Sequence, residues 1–340
     1  MSELPIPTEI RSEQLLSIQS YLLAEEAEHP DASGRFTWIL SAISLATKFI
    51  AARCRRARIE TVLGSMGTEN VQGEVQQKLD VIANETLISC LGSRAGLSIV
   101  ASEENDEPIL LHSDNSSERP YIALFDPLDG SSNLDTCGTV GTIFSILAHD
   151  RRSKSPEEAI RQSGTKQVAA GYVLYGPSTV MVLTHGKGVQ MFVLDPTIGS
   201  FLLVEENLRI PSAAKTYSMN EAYSNGFSTG YQKYLAWAHE NGYSTRYAGA
   251  MVADVHRVMI KGGVFLYPPT PKAPKGKLRL MYEANPMAML VEQAGGKSFS
   301  GMTRTLEVEP ESLHQRTSVV MGSPDEVDHV MRHLEEHSPE

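Results

Sequence analysis

Two apolar runs of strand length, LSIVA at residues 97–101 and YIALF at residues 121–125, each lead directly into carboxylates, and nothing else in the sequence constrains the fold as much. The first is followed by Ser102, Glu103 and Glu104, the second by DPLDGSS at residues 126–132. Runs this short and apolar read as buried strands, and in α/β sheets ligands gather where strands end and loops begin. If the two strands are neighbours, the carboxylates of Glu103, Glu104, Asp126 and Asp129 meet. Such a cluster is costly through like-charge repulsion, and divalent cations are the natural remedy. An all-oxygen donor set without His or Cys indicates hard cations, Mg2+ or Mn2+, rather than zinc. Pro127 fixes φ and lacks an N–H. The segment between Asp126 and Asp129 is therefore expected to be a stiff turn that lets both Asp converge and leaves the Leu128 carbonyl available as a ligand. Gly130, Ser131 and Ser132 then offer N–H groups and hydroxyls suited to a phosphate, above all if a helix starts there. Asp195-Pro196 lacks acidic partners and reads as an ordinary turn. Phosphatases with an aspartyl nucleophile place two Asp at i and i+2. Here the spacing is three with Pro between, so a metal-activated water is the expected nucleophile.

The rest of the chain supplies layers. Phe36, Ile39, Leu40, Ile43, Thr47 and Ile50 form one stripe at helix spacing, which predicts a helix over residues 34–56. A second helix is expected over 75–91, with a mobile Gly- and Ser-rich loop at 63–73 between the two. Strands are expected at 140–148, 168–175, 179–184, 189–194 and 201–204, at the spacing of a meandering sheet, with 156–162 a surface excursion. Helices at 229–239, 252–261 and 285–293 alternate with strands at 264–267 and 318–321, and a proline- and lysine-bearing loop covers 268–276. This mixture predicts a layered α+β fold with mixed, partly antiparallel sheets. Two halves, residues 1–205 and 206–340, are expected to face one cleft.

With 30 Lys and Arg against 41 Asp and Glu, the net charge of -11 is a poor match for nucleic acid. It leaves room for a local basic cluster that binds a small anion. Cys54, Cys90 and Cys137 show no CxxC spacing, which excludes a disulfide framework and a cysteine zinc site and suits a reducing compartment. All three are expected to be small buried hydrophobes. The polar, acidic N-terminus is unlike a signal or transit peptide. No apolar run approaches the ~20 residues of a membrane span, so a cytoplasmic protein without membrane partners is expected.

Taken together, SEE at 102–104, FDPLDGSSN at 125–133, VAAGY at 168–172, Arg246-Tyr247, MVADVHR at 251–257, PKGKLR at 274–279 and Tyr282-Glu283 resemble the class I fructose-1,6-bisphosphatases, of the lithium-sensitive phosphatase superfamily. The resemblance is collinear from about residue 33 to residue 323. It implies a five-layered α-β-α-β-α sandwich, the sugar phosphatase fold. The implied activity is Mg2+-dependent hydrolysis of the 1-phosphate of fructose 1,6-bisphosphate, in gluconeogenesis or related sugar-phosphate metabolism. The resemblance further implies that Glu103, Asp126, Asp129, Glu283 and the Leu128 carbonyl bind the metals, and that Asp80 and Glu104 orient or deprotonate the attacking water. Glu74 stands where the family has a loop Asp, with one methylene more. Asn220, Tyr223, Tyr247, Tyr267 and Lys277 match the pocket for the retained phosphate, beside Met251, and Arg279 matches the arginine near the leaving phosphate. Arg246 matches a residue lent to the neighbouring subunit, which implies a homo-oligomer, a dimer or tetramer. Lysine and arginine give a phosphate charge-assisted bonds, and tyrosine hydroxyls add direction without charge.

The chain also departs from the family. Gly34 and Thr37 fit a nucleotide-phosphate site at the start of the first long helix, but Arg35 replaces an acidic residue, and Pro120 and Ala148 stand where cations are expected. Weak or absent AMP inhibition follows. Residues 150–167 lack the cysteine-bearing insertion of light-regulated relatives, so dithiol switching is not expected. Sedoheptulose 1,7-bisphosphate remains an alternative or additional substrate, because that sister family shares DPLDGSS and KLR. A non-catalytic sensor would have lost a metal carboxylate, and none is lost here.

Overall fold

A computed structural model describes residues 16–28, 34–60, 63–69, 75–93, 96–111, 121–150 and 152–337. Glu74, Ser33 and Pro120 lie outside the described residues.

The N-terminal half builds helices α1 (Ile18–Ala27), α2 (Arg35–Arg56) and α3 (Lys78–Gly92) against one face of an eight-stranded sheet. Between α2 and α3 lies a hairpin of β1 (Ser65–Glu69) and β2 (Val75–Gln77). The sheet contains β3 (Leu97–Ser102), β4 (Ile109–Leu110), β5 (Tyr121–Asp129), β6 (Val140–Ala148), β7 (Gln167–Tyr175), β8 (Thr179–Thr184), β9 (Gln190–Asp195) and β10 (Ser200–Glu205), in the order β10-β9-β8-β7-β6-β5-β3-β4. From β5 to β10 it is an antiparallel meander, while β3 and β5 run parallel. The carboxyl ends of β3 and β5 therefore lie side by side. Between β6 and β7 sits the short helix α4 (Pro156–Ile160).

The C-terminal half supplies α5 (Thr229–Glu240), α6 (Met251–Lys261), α7 (Asn285–Gln293) and α8 (Pro324–Glu336). Its six-stranded sheet contains β11 (Thr216–Ser218), β12 (Ser244–Thr245), β13 (Val264–Tyr267), β15 (Lys297–Ser300), β16 (Thr303–Arg304) and β18 (Val319–Gly322), in the order β12-β11-β13-β18-β15-β16. A separate pair joins β14 (Leu278–Arg279) to β17 (Arg316–Thr317). Among the described residues, three cores account for the layering. Ile39, Leu40, Ile43 and Ile50 of α2 pack with Leu79, Ala83 and Leu87 of α3 against Val100, Phe125 and Phe144. Val252, Val255 and Met259 of α6 and Met287, Leu290 and Val291 of α7 fill the space between the two sheets. Tyr231, Tyr234 and Leu235 of α5 meet Val327, Val330 and Leu334 of α8 on the outer face of the second sheet. The result is helix, sheet, helix, sheet, helix, the layered α+β sandwich expected from the sequence.

Several local expectations are corrected. Residues 75–77 are strand rather than helix, because α3 starts only where Asp80 accepts the Gln77 N–H at 2.8 Å, an N-terminal capping contact. Residues 65–69 pair with β2 instead of forming a loop. Ser155 caps α4 and Ala159 and Ile160 are buried, so residues 156–160 are anchored to the body rather than excursive. Cys54 and Cys90 are only half-buried, and Cys137 is exposed because it closes a 3-10 turn with φ of 57°. At 22 residues α2 is long and apolar enough to cross a membrane by length and composition, but half of that stretch is buried in the first core. It is a core helix here.

Candidate active site

The two Asp of DPLDGSS converge through a bulge rather than the expected turn. Asp126 stands opposite Ile143 of β6 and Asp129 opposite Gly141, so β5 uses one residue more than its partner between them. In an unbroken strand, residues three apart face opposite sides of the sheet. One extra residue cancels that alternation and turns both carboxylates to the same side. Pro127, with no N–H to give the ladder, belongs at such a bulge. Its carbonyl accepts the Thr142 hydroxyl at 2.8 Å, and the Leu128 N–H donates to Asp126 Oδ1 at 2.9 Å. Gly130 ends the bulge at φ of 74° and leads into a 3-10 turn, Ser131–Thr136.

Glu103 closes β3, its N–H bonded to the Phe125 carbonyl at 3.1 Å. Glu283 arrives from the far half on a single π-helical turn, Leu280–Ala284, a local widening common at functional sites. Carboxylate oxygens of Asp126, Asp129 and Glu283 all lie within 4.8 Å of one another. Arg279 threads the same cluster. Its Nη2 is 2.8 Å from Glu103 Oε1, and its backbone N–H donates to Glu283 Oε2 at 2.6 Å. The Val252 N–H, at the start of α6, donates to Asp129 Oδ2 at 2.7 Å.

Electrostatics set this cluster apart. Burial pushes Glu103 up to about 8, against the pull of Arg279 and with the push of Glu283 and Glu104. Burial likewise lifts Asp129 to about 8, helped by Glu283 and opposed by the Val252 N–H. Asp126 is held well above the carboxylate range by burial and then by Glu103, Asp129 and Glu283. One guanidinium does not balance so many buried acids. Oxygens alone, with a spacing that metal–oxygen distances of about 2.1–2.4 Å can close, fit a hard divalent cation.

A cavity of about 450 Å3 opens from the cluster. Glu103, Asp126, Leu128, Asp129 and Glu283 line it at one side with Arg279, Asp80 and Glu104, and Gly130, Ser131 and Ser132 form part of its wall. Tyr247, Met251, Tyr267 and Lys277 line the same cavity. Asn220 and Tyr223 do not line it. They line a small recess that shares Tyr267, and the Asn220 side chain lies beside the Tyr247 hydroxyl. Arg246 is exposed and outside the cavity, its Nη1 on the Thr245 carbonyl at 2.7 Å. Gln77, Gly249, Asp254, Phe265 and Leu278 also line the cavity and were not singled out from the sequence. Asp254 lies inside the quoted MVADVHR motif, which was a signal that could have found it. Gln77 and Phe265 carry no comparable signal.

Family models described as the fructose-1-6-bisphosphatase N-terminal domain and C-terminal domain match residues 16–206 and 210–335. A class 1 fructose-1,6-bisphosphatase from Chloroherpeton thalassium is 46% identical over 321 residues, covering 92% of this chain and 91% of that protein. The enzyme of that name from Chlorobium chlorochromatii is 46% identical over 323 residues, covering 92% and 96%. Among solved structures, Leishmania major fructose-1,6-bisphosphatase in holo form superposes with a TM-score of 0.89 at 39% identity, covering 94% of this chain and 99% of that one. The T-state form of the same enzyme gives 0.85 at 37%, covering 95% and 99%. With both halves matched and the relatives aligned nearly end to end, the chain belongs to the class 1 fructose-1,6-bisphosphatase family.

Proposed function

We propose that the protein hydrolyses the 1-phosphate ester of fructose 1,6-bisphosphate, using Mg2+ or Mn2+, to fructose 6-phosphate and phosphate. The observation that carries this reading is one cavity lined both by Asp126, Asp129 and Glu283, whose carboxylates converge, and by Tyr247, Tyr267 and Lys277. Such a lining suits a small molecule with two phosphates, one met by cations on the carboxylates and one by the tyrosines and the lysine. The names of the relatives support the substrate.

In this reading Glu103, Asp126, Asp129, Glu283 and the Leu128 carbonyl hold the cations, with Glu74 as a further ligand. When bound there, divalent cations would supply charge neutralisation of the ester phosphate and a water made acidic enough to attack near neutral pH. Glu104 and Asp80 orient that water and take its proton. Asp80 is fixed for the task by the Gln77 N–H. Arg279 places a guanidinium beside the departing phosphate. Lys277, Tyr247 and Tyr267 grip the retained phosphate, with Asn220 and Tyr223 behind them, and Met251 packs against the sugar. Gly130, Ser131 and Ser132 bound the ester side. The chain divides near residue 205, where the first sheet ends at Glu205 and before the second begins at Thr216. It works as a homo-oligomer in the cytoplasm, with Arg246 completing a neighbour's pocket. Exposed Trp38, Leu45 and Phe49 along α2 form an apolar stripe of the kind subunit contacts cover.

Side-by-side kcat/KM on fructose 1,6-bisphosphate and sedoheptulose 1,7-bisphosphate, with and without Mg2+, tests this. A higher value for the sedoheptulose ester would overturn the substrate, and phosphate release unaffected by chelation would overturn the metal role. AMP is expected to inhibit weakly or not at all. Glu26 accepts the Thr37 hydroxyl at 2.8 Å, so a carboxylate already lies beside the start of α2. Strong inhibition at micromolar AMP would contradict this.

A further inference from the structure

A buried carboxylate lines the cavity close enough to act on both Tyr247 and Asp129, where it opposes the charge of an anionic ligand. Asp254, in the first turn of α6, is 3% exposed and lines that cavity. A carboxylate buried beside a phosphate pocket is doubly unfavourable, through desolvation and through repulsion. Its bonding accounts for its presence. Oδ1 accepts the Ala248 N–H at 2.8 Å and Oδ2 accepts the Gly249 N–H at 3.1 Å. The two oxygens thus fold the turn of residues 246–250, which carries Tyr247 into the cavity and leads into Met251.

The same turn is fastened to the metal carboxylates from its other side. The Ala248 carbonyl accepts Asn133 Nδ2 at 3.1 Å, and Asn133 belongs to the 3-10 turn that follows the bulge. Two residues beyond Ala250, the Val252 N–H holds Asp129. At Ala250 itself the β-carbon packs so closely that a side chain on Gly130 would overlap it. One stretch of backbone therefore sets the distance between the carboxylate cluster and Tyr247.

We propose that Asp254 is a positioning residue for substrate selection: it holds the 246–250 turn so that the Tyr247 side of the cavity stands where the second phosphate of a bisphosphate falls. The proposal rests on the bisphosphatase reading above. It predicts that Asp254 matters for substrates with two phosphates and much less for monoesters that engage only the carboxylate side.

Asp254→Asn is the direct test, because an amide has one acceptor oxygen and turns its NH2 toward the other backbone N–H. The kcat/KM for fructose 1,6-bisphosphate is expected to fall roughly 10- to 100-fold, mainly through KM, the size expected when hydrogen bonds to a charged group are lost. For fructose 1-phosphate, which keeps the same ester and lacks the second phosphate, the fall is expected to be several-fold smaller. Fructose 6-phosphate should weaken as a product inhibitor in parallel with the KM change. Asp254→Glu keeps both acceptors one methylene further out and should give an intermediate preference. It also serves as the test if Asp254→Asn does not fold. An unchanged ratio of the two substrates, whether both activities fall together or neither falls, would overturn the proposal. A wild-type enzyme with no preference for the bisphosphate would instead overturn the reading on which it rests, before any variant is measured.

Discussion

Asp126 is 5% exposed and shares its surroundings with Glu103, Asp129 and Glu283, so its charged form is opposed first by burial and then by its neighbours. Asp126→Asn keeps the shape and an oxygen for the Leu128 N–H but removes a charge. Without metal the variant should melt above the parent near neutral pH, because the amide avoids the cost of ionising or protonating a buried acid among like charges. In Mg2+ its kcat should fall by at least about 100-fold, since in the proposed mechanism the cation loses a ligand. Thermal unfolding and steady-state kinetics on one preparation check both halves, and a metal-free Tm below the parent's would contradict the first. Glu103 and Asp129 give the pH dependence. Both are lifted to about 8 by burial, above their ordinary values. Between those values and about 8 the folded chain holds protons that the unfolded chain has released. The stability of the metal-free protein should therefore decline as pH rises through that window. Bound Mg2+ must displace those protons, so its affinity should rise over the same range. Calorimetry at about pH 7 in buffers of different ionisation enthalpy should show proton release on Mg2+ binding. Proton uptake would contradict the assignment.

At the scale of elements, the bulge in β5 and the start of α6 act as one unit. Gly130 combines φ of 74° with contact against Ala250, two separate reasons against a side chain. Gly130→Ala should cost about 1–3 kcal/mol for the backbone conformation, and should also lower activity by pushing α6 off the bulge that carries Asp126 and Asp129. Adding Ala250→Gly removes the Cβ overlap but not the φ cost. The double variant should recover activity more than stability, as denaturant titration and kinetics would show, and recovery of stability alone would contradict the coupling. The elements that were easiest to read in the sequence are those whose own periodicity decides them. The stripe of α2 and the strand run of β6 fall as expected. The start of α3 was misread because Asp80 caps Gln77 through a side chain that hydropathy ignores. Helix α8 went unpredicted although Ser323, Pro324 and the acidic Asp325 and Glu326 mark its start, and Val327, Val330 and Leu334 its buried face. Strand β1 was hidden because its stability comes from pairing with β2 rather than from its own residues.

The whole molecule brings its site together from both halves: Glu283 and Arg279 come from beyond residue 270, while Asp126 and Asp129 close a strand of the first sheet. The proposed contribution of Arg246 to a neighbouring subunit's pocket is testable by complementation. Arg246→Ala and Lys277→Ala should each raise KM roughly 10-fold or more, since each removes a cation from one phosphate. Co-expressed, the two should assemble some sites with native Lys277 and native Arg246 from different chains. Activity well above the mean of the separate variants is expected. Activity equal to that mean would place Arg246 in its own subunit's function or in none.

The sequence by itself determined the carboxylates, their all-oxygen donor set and the layered fold, because apolar period, strand length and donor type are local properties of the chain. It also named DPLDGSS as the centre of the site, but it misjudged how that segment works. Whether residues three apart on a strand share a face depends on how many residues the partner strand sets against them, and that count exists only once β6 is paired with β5. The role of Asp254 was likewise closed to the sequence, because a carboxylate that holds Ala248 and Gly249 across a turn looks like any other acid until the turn is folded. Residue types fixed the chemistry, and long-range pairing decided where each group points.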